Sequence, residues 1–188
     1  IEDISLMRTL PNMTVINPAD AKEAEAAVLA AIDYQGPVYI RLGRAETKDI
    51  HDDSYHFEWG KAEVLRQGSD VTIFATGIMT AKALDAAETL AKQGVQAEVI
   101  NVHTIKPLDE ETVIASAKKT GKVVTAEEHS IIGGLGSAVA EVLARQCPTK
   151  QAFVGVQDSF GESGSPNDLL EKYGLTTEAI VKAAVRLQ

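Results

Sequence analysis

The sequence has few of the features that mark secreted, membrane or nucleic-acid-binding proteins. Cys147 is the only cysteine among 188 residues, so the chain cannot form an internal disulfide. No apolar stretch is long enough to predict a transmembrane helix. Lys and Arg form no run, and the net charge of -9 opposes binding to nucleic acid or anionic lipid. We therefore expect a cytoplasmic protein whose partners are proteins or small molecules, not nucleic acid or a membrane.

What the chain does contain is an ordinary globular composition. Hydrophobic residues make up 45% and charged residues 24% of the sequence. A chain of 188 residues can bury one complete core and a fragment of a second, but not two full domains. We therefore expect a single domain boundary.

Strand-like apolar runs alternate with helical patterns along the chain, which predicts an α/β fold. The predicted strands are residues 14–16, 38–42, 62–65, 71–75, 97–102, 122–125 and 152–156. Helical patterns cover residues 1–10, 20–31, 80–92, 109–118, 135–145, 168–173 and 177–187.

The periodic pattern is interrupted once, from residue 43 to about residue 58, where the residues are polar and aperiodic. We place the remnant of one α/β domain at residues 1–44, a linker at 45–58 and a complete domain at 59–188. An extended linker of this kind is expected to be the first site of proteolysis.

A glycine-rich segment, Glu127 to Ser137, lies between a predicted strand and a predicted helix. Its glycines do not match the dinucleotide fingerprint, because Val139 stands where the third glycine is required. A tight turn used for packing is the favoured reading over a phosphate cradle. On a strand, Glu127 and His129 point to one side and Glu128 to the other, which favours a structural or interface role over a metal or acid-base cluster.

Two arginines lie near the end of the second predicted strand, Arg41 within it and Arg44 just after it. Arg44 lies past Gly43, at the carboxyl edge of the sheet, where ligands bind in open parallel sheets. A guanidinium suits phosphate, although exposed arginines are common without any ligand. A serine hydrolase is not expected, since the sequence has no Gly-x-Ser-x-Gly unit between a strand and a helix.

Several segments resemble the transketolase family, over the whole chain. Residues 1–8 are similar to the second half of a transketolase signature, and residues 11–20 and 36–44 to the end of the pyrimidine-binding domain. The remainder is similar to the family's C-terminal domain, a three-layer α/β/α fold with a mostly parallel five-stranded sheet. Residues 158–164 and 173–176 are most similar to transketolases, particularly the bacterial type that is split into two subunits.

The resemblance implies a complete enzyme that uses thiamine diphosphate with Mg²⁺ or Ca²⁺ to transfer two-carbon ketol units between sugar phosphates. It implies a homodimer and an N-terminal transketolase subunit or domain as partners. Arg44 matches a position that helps to hold the substrate phosphate. The family's catalytic, cofactor-binding and metal-binding residues lie upstream, so no cofactor is expected on this chain alone. 1-Deoxy-D-xylulose-5-phosphate synthase, a 2-oxoacid dehydrogenase β subunit and a stand-alone Rossmann-like binding module remain alternatives.

Overall fold

A computed structural model describes residues 1–44 and 46–188. Its elements in chain order are α1 (Asp3–Thr9), β1 (Thr14–Ile16), α2 (Ala21–Ile32), β2 (Val38–Ile40), β3 (Glu63–Arg66), β4 (Val71–Ala75), α3 (Met79–Lys92), β5 (Ala97–Asn101), β6 (Thr104–Lys106), α4 (Glu110–Thr120), β7 (Lys122–Ser130), α5 (Leu135–Gln146), β8 (Lys150–Val156), α6 (Pro166–Lys172) and α7 (Thr177–Arg186). No helix in these two ranges is long and apolar enough to cross a membrane.

The larger sheet has five strands in the order β3-β5-β4-β7-β8. The β4-β5, β4-β7 and β7-β8 pairs are parallel, and β3 runs antiparallel to β5 at one edge. All five residues of β4 are buried, as expected for the central strand of a sheet covered on both faces. The mostly parallel five-stranded sheet predicted from the family resemblance is therefore confirmed.

Helices cover both faces of this sheet. On one face, α3 and α7 bury their apolar sides, including Leu90 and Ile180, against β4, β5 and β7. On the other face, α4 and α5 bury Val113 and Val139 against Phe74 and Ile100. Burial of each such side chain stabilises the fold by about 1.5–3 kcal/mol before the loss of conformational entropy is counted. The three-layer α/β/α arrangement is confirmed.

A smaller sheet, of order β2-β1-β6, joins the N-terminal segment to the middle of the chain. Strands β1 and β2 are parallel, and β6 adds antiparallel to the other side of β1. The sequence did not predict β6. This strand has only three residues and closely follows β5, so its alternation of apolar and polar residues is too short to recognise. This strand is fixed by pairing with β1, some ninety residues earlier in the chain.

The segment proposed as a linker has neither helix nor strand at residues 46–58, in agreement with its composition. Ala45, its first residue, lies outside the described residues. Two side chains of the segment nevertheless make tertiary contacts. Tyr55 donates a hydrogen bond to Glu23 Oε1 over 2.7 Å, and the Phe57 ring packs against His103 at 4.6 Å between centroids. These side chains attach the segment to both halves of the fold.

Candidate functional site

Arg44 lies just beyond β2, at the edge where the parallel strands β1 and β2 both end. The residue is exposed, so its guanidinium is accessible to a ligand or to another protein segment. A cleft of about 510 Å³ opens beside it, with Glu46 and Asp49 in its lining. Those carboxylates do not suit a phosphate, so a complete anion site around Arg44 requires groups beyond the residues of this cleft.

Arg41, three residues earlier, has a different environment. Its Nε donates to Asp3 Oδ2 over 3.0 Å and its NH1 nitrogen donates to Glu128 Oε2 over 2.9 Å. The side chain is only 16% exposed. Arg41 therefore links α1 to the end of β7. Its guanidinium is paired with two carboxylates of the chain and does not point to a ligand.

The glycine-rich turn after β7 encloses the carboxylate of Glu127. Its two oxygens accept hydrogen bonds from the backbone amides of Leu135, over 2.7 Å, and Gly136, over 2.8 Å. A side chain at Gly134 would place its Cβ 2.0 Å from Glu127 Oε2, so this position requires glycine. The first amides of α5 are thus already satisfied by an internal carboxylate. They do not form an open phosphate cradle, which argues against the Rossmann-like binding module.

Glu127 and His129 lie on one side of β7 and Glu128 on the other, as the strand pattern predicts. Burial raises the pKa of Glu127 to about 7, although the amides of Gly136 and Leu135 oppose that effect. The His129 Nδ1 donates to the Ser130 carbonyl over 2.7 Å, and its Nε2 accepts from the Ser5 amide over 3.3 Å. Burial holds the pKa of His129 below its usual value, which fits this neutral tautomer. Both groups connect the turn to α1 and α5 and do not face a cleft.

A second polar cluster lies where α2, the connecting segment and β3 meet. Its central residue is His51, whose Nδ1 is 3.0 Å from Asp20 Oδ2 and whose Nε2 is 2.9 Å from Glu63 Oε2. Burial lowers the pKa of His51, but the hydrogen bonds with Glu63 and Asp20 outweigh it and raise that pKa to about 9. In this state the imidazolium donates from both ring nitrogens.

The sequence did not single out this cluster, because its members come from three separated segments. One local signal was available for part of it. Asp20 caps α2 by accepting from the Glu23 amide over 2.9 Å, and Glu23 Oε2 accepts from the Ala19 amide over 2.6 Å. This resembles a capping box, except that Glu23 binds the amide of Ala19, the residue before the cap, and not that of Asp20. An Asp and a Glu three residues apart indicate a helix start of this kind. Nothing in the sequence indicated that His51 and Glu63 would join it.

Two family models match the chain in consecutive segments. The model for "Transketolase, pyrimidine binding domain" matches residues 1–49, and that for "Transketolase, C-terminal domain" matches residues 60–180. The second match alone covers more than half of the chain. The chain belongs to the transketolase family.

Curated transketolase relatives are similar over nearly the whole chain. The 6-deoxy-6-sulfo-D-fructose transketolase subunit SqwH of Clostridium sp. (strain MSTE9) is 55% identical over 98% of the chain and 57% of its own length. A putative transketolase C-terminal section from Methanocaldococcus jannaschii is 45% identical over 96% of the chain and 57% of its own length. A 1-deoxy-D-xylulose-5-phosphate synthase from Desulforudis audaxviator is 38% identical over 97% of the chain, but over 29% of its own length. The chain thus spans little more than half of the first two transketolase relatives.

The solved transketolases include a close structural match. A structure described as "Split gene transketolase, inactive beta4 tetramer" superposes with a TM-score of 0.97 and 53% identity, covering all of this chain and 61% of its own. The transketolase of Campylobacter jejuni subsp. jejuni superposes with a TM-score of 0.76 and 25% identity, covering 99% of this chain and 28% of its own. The fold and the family resemblance predicted from the sequence are both confirmed.

The family implies thiamine diphosphate, and the described residues do not fit this cofactor by themselves. A diphosphate requires free amide or cationic donors, whereas the amides at the start of α5 are bound to Glu127. The cleft lined by Gly43, next to Arg44 in the chain, also contains carboxylates in its lining. Neither place offers the free donors that a diphosphate requires.

Proposed function

We propose that this chain is the C-terminal part of a thiamine diphosphate-dependent transketolase, which transfers two-carbon ketol units between sugar phosphates. The observation that carries the proposal is the order of the two family matches, the pyrimidine-binding domain at residues 1–49 and the C-terminal domain at residues 60–180. The active enzyme further requires the diphosphate-binding half of the site, supplied by an N-terminal transketolase subunit or domain. Mg²⁺ or Ca²⁺ accompanies the cofactor in that assembly, which works in the cytoplasm.

In this assembly the chain supports the contacts between domains and between the subunits of the dimer. The isolated chain is inactive. The division into a pyrimidine-domain remnant at residues 1–44, a linker at 45–58 and a C-terminal domain at 59–188 is part of the proposal. Arg44 is the substrate-binding residue, and its exposed position at the carboxyl edge of β1 and β2 supports that role. A guanidinium there would bind the terminal phosphate of the sugar by charge-assisted hydrogen bonds.

A specific comparison favours a second candidate substrate class. The Clostridium relative, at 55% identity, is a 6-deoxy-6-sulfo-D-fructose transketolase subunit. A sulfonate and a phosphate are both tetrahedral anions that an arginine can bind, so Arg44 is compatible with either sugar. 1-Deoxy-D-xylulose-5-phosphate synthase is a weaker candidate, because that relative is 38% identical.

The test is ketol transfer by the complete assembly. The chain is combined with the N-terminal transketolase part, thiamine diphosphate and Mg²⁺, and is supplied with xylulose 5-phosphate and ribose 5-phosphate. We expect both sugars to be consumed, and the same mixture without the N-terminal part to be inactive. Consumption of 6-deoxy-6-sulfo-D-fructose in place of xylulose 5-phosphate would favour the second substrate class. An assembly that transfers no ketol unit from either donor would contradict the proposal.

A further inference from the structure

The polar cluster at the junction of the two halves contains a set of potential metal ligands. Glu23 comes from α2, His51 from the connecting segment and Glu63 from β3. One ligand atom from each lies within 4.8 Å of the others. One imidazole nitrogen and two carboxylate oxygens form a donor set of the kind that binds divalent transition metals.

The imidazole ring is already oriented for such a role. His51 is only 3% exposed, and its Nδ1 lies 3.0 Å from Asp20 Oδ2. That oxygen also accepts from the backbone amides of Ile50 and His51, each over 2.8 Å. A histidine whose Nδ1 is hydrogen-bonded to a fixed carboxylate presents Nε2 to the metal, the arrangement found around metal-bound histidines.

The spacing of the ligand atoms requires only a small adjustment. His51 Nε2 and Glu63 Oε2 are 2.9 Å apart. Two ligands at about 2.05 Å from a tetrahedral ion lie about 3.3 Å apart, so Glu63 needs to move by a few tenths of an ångström. Its side chain is 41% exposed and has room for that movement.

Charge at the cluster favours a cation. Asp20, Glu23 and Glu63 are three carboxylates around a single imidazole. Glu23 Oε1 accepts hydrogen bonds from the Tyr55 hydroxyl over 2.7 Å and from the Asn101 side-chain amide over 2.8 Å, which hold the carboxylate in place. Lys61 lines the adjacent cleft, but its ammonium lies 3.9 Å from Glu111. A divalent ion would replace the proton on His51 Nε2, release it to solvent and leave the cluster with a smaller net negative charge.

The cluster is accessible from solvent. His51 and Glu63 line a cleft of about 470 Å³, together with His56, Glu58 and His103. Such a cleft offers an entry path and space for water at the position that the three side chains leave open. An imidazole ligand favours Zn²⁺ and similar ions over Ca²⁺, which takes six to eight oxygen ligands.

We propose that Glu23, His51 and Glu63 bind a divalent transition-metal ion of the Zn²⁺ type at the junction between α2 and β3. Asp20 is a positioning residue that orients His51 and does not touch the ion. Because the ligands come from the first domain, the connecting segment and the second domain, the ion would tie these parts together. This site does not depend on the proposed catalytic function.

The experiment titrates chelator-treated protein with Zn²⁺ against a chromophoric competitor, and with Co²⁺ followed by its visible absorption. We expect one equivalent to bind, with Co²⁺ absorption typical of low-coordinate nitrogen and oxygen ligation. Asp20→Asn keeps the helix cap but weakens the orienting contact, and should lower affinity by about 10–100-fold. His51→Gln and Glu63→Gln each remove a ligand and should lower affinity by more than Asp20→Asn does.

The matched control is His56→Gln. His56 lines the same cleft but is not one of the proposed ligands, so its removal should leave the affinity for Zn²⁺ unchanged. Thermal unfolding with and without Zn²⁺ provides a second readout, since a bound ion should raise the Tm of the wild type and of His56→Gln equally and that of the other variants by less. Glu63→Gln is isosteric and partly exposed, so it separates ligand loss from misfolding. Absence of saturable binding by the wild type would overturn the site. So would unchanged affinity in Glu63→Gln, or an equal loss in His56→Gln.

Discussion

At the scale of single residues, Arg41 and Arg44 have opposite environments although they are three positions apart. Arg41 is half-buried between Asp3 and Glu128, and its charge is paired with both carboxylates. Arg44 is exposed just past the sheet edge. A buried ion pair that loses one partner leaves an uncompensated charge, whereas an exposed arginine can be removed with little effect on stability. The two side chains should therefore respond differently to mutation.

For Arg44, the expected effect is on catalysis by the assembled enzyme. Arg44→Ala should lower kcat/KM for phosphorylated donors by an amount equivalent to about 1.5–3 kcal/mol, because a charged hydrogen bond to the phosphate is lost. Thermal unfolding of the chain should be nearly unchanged. Arg186→Ala, at another exposed arginine, serves as the control. An Arg44→Ala enzyme with an unchanged kcat/KM would remove Arg44 from the substrate site.

Glu127 should matter for stability and not for ligand binding. In Glu127→Gln, one side-chain oxygen becomes an NH₂ group that faces a backbone N–H of Leu135 or Gly136. At pH 8, above the pKa of about 7, we expect a loss of about 1–3 kcal/mol in the free energy of unfolding. Chemical denaturation measures this, with the exposed Glu88→Gln as control. Equal stability of the two variants would mean that the buried carboxylate does not hold the turn.

At the scale of elements, the cap of α4 also fixes the entry to β3. Asp109 Oδ1 accepts from the Thr112 amide over 3.1 Å, and Oδ2 accepts from the Ala62 amide over 3.1 Å. Asp109→Ala should lower the free energy of unfolding by about 1–2 kcal/mol, since the cap is lost. Glu111→Ala alters the same first turn at a residue whose side chain is 92% exposed, and should be nearly neutral. A cap mutation no more destabilising than Glu111→Ala would contradict this account.

The position of the first proteolytic cut follows from which loop is exposed. The sequence indicated the connecting segment, but its aromatic residues are packed, with Tyr55 against His51 and Phe57 against His103. Every residue from 157 to 168 is exposed, and Phe160 is 92% exposed. Chymotrypsin should therefore cut after Phe160 before it cuts after Tyr55 or Phe57.

Mass spectrometry of the first fragments tests this order, and Phe160→Ala should slow the initial cleavage. A first fragment ending at Tyr55 or Phe57 would instead support the prediction that residues 45–58 are an extended, protease-sensitive linker.

At the scale of the whole molecule, the N-terminal segment is bonded to the strands and the turn near residues 104–133. The Ser130 amide donates to the Ile1 carbonyl over 2.8 Å, and Arg8 donates to the Gly133 carbonyl over 2.6 Å. Together with the β1-β6 pairing, these bonds attach α1 and β1 to the part of the chain that contains the five-stranded sheet. The local spacing of apolar residues was sufficient to predict β4 and the main helices, because the residues that they bury follow one another within a single segment.

Contacts between distant segments could not be predicted in this way. Strand β7 runs to Ser130, beyond its predicted end at residue 125. Its polar residues Glu127 and His129 are buried there because they form hydrogen bonds with α5 and α1. His51 and Glu63 meet only after the connecting segment folds back on β3. A polar residue carries no local signal of a partner that lies far along the chain, so such sites become visible only in the folded structure.

Cofactor binding tests whether this chain contains a thiamine diphosphate site by itself. We expect the 188-residue chain alone not to bind thiamine diphosphate with useful affinity, because activation of this cofactor requires a preorganised carboxylate and metal-bridged phosphates from the other half of the site. The helix start that could have received the diphosphate is filled by Glu127. Calorimetric titration of the cofactor into protein already saturated with Mg²⁺ should give no saturable heat, whereas the complete assembly should. Micromolar binding by the chain alone would place the cofactor site within these residues and would require a different assignment of the two halves of the enzyme.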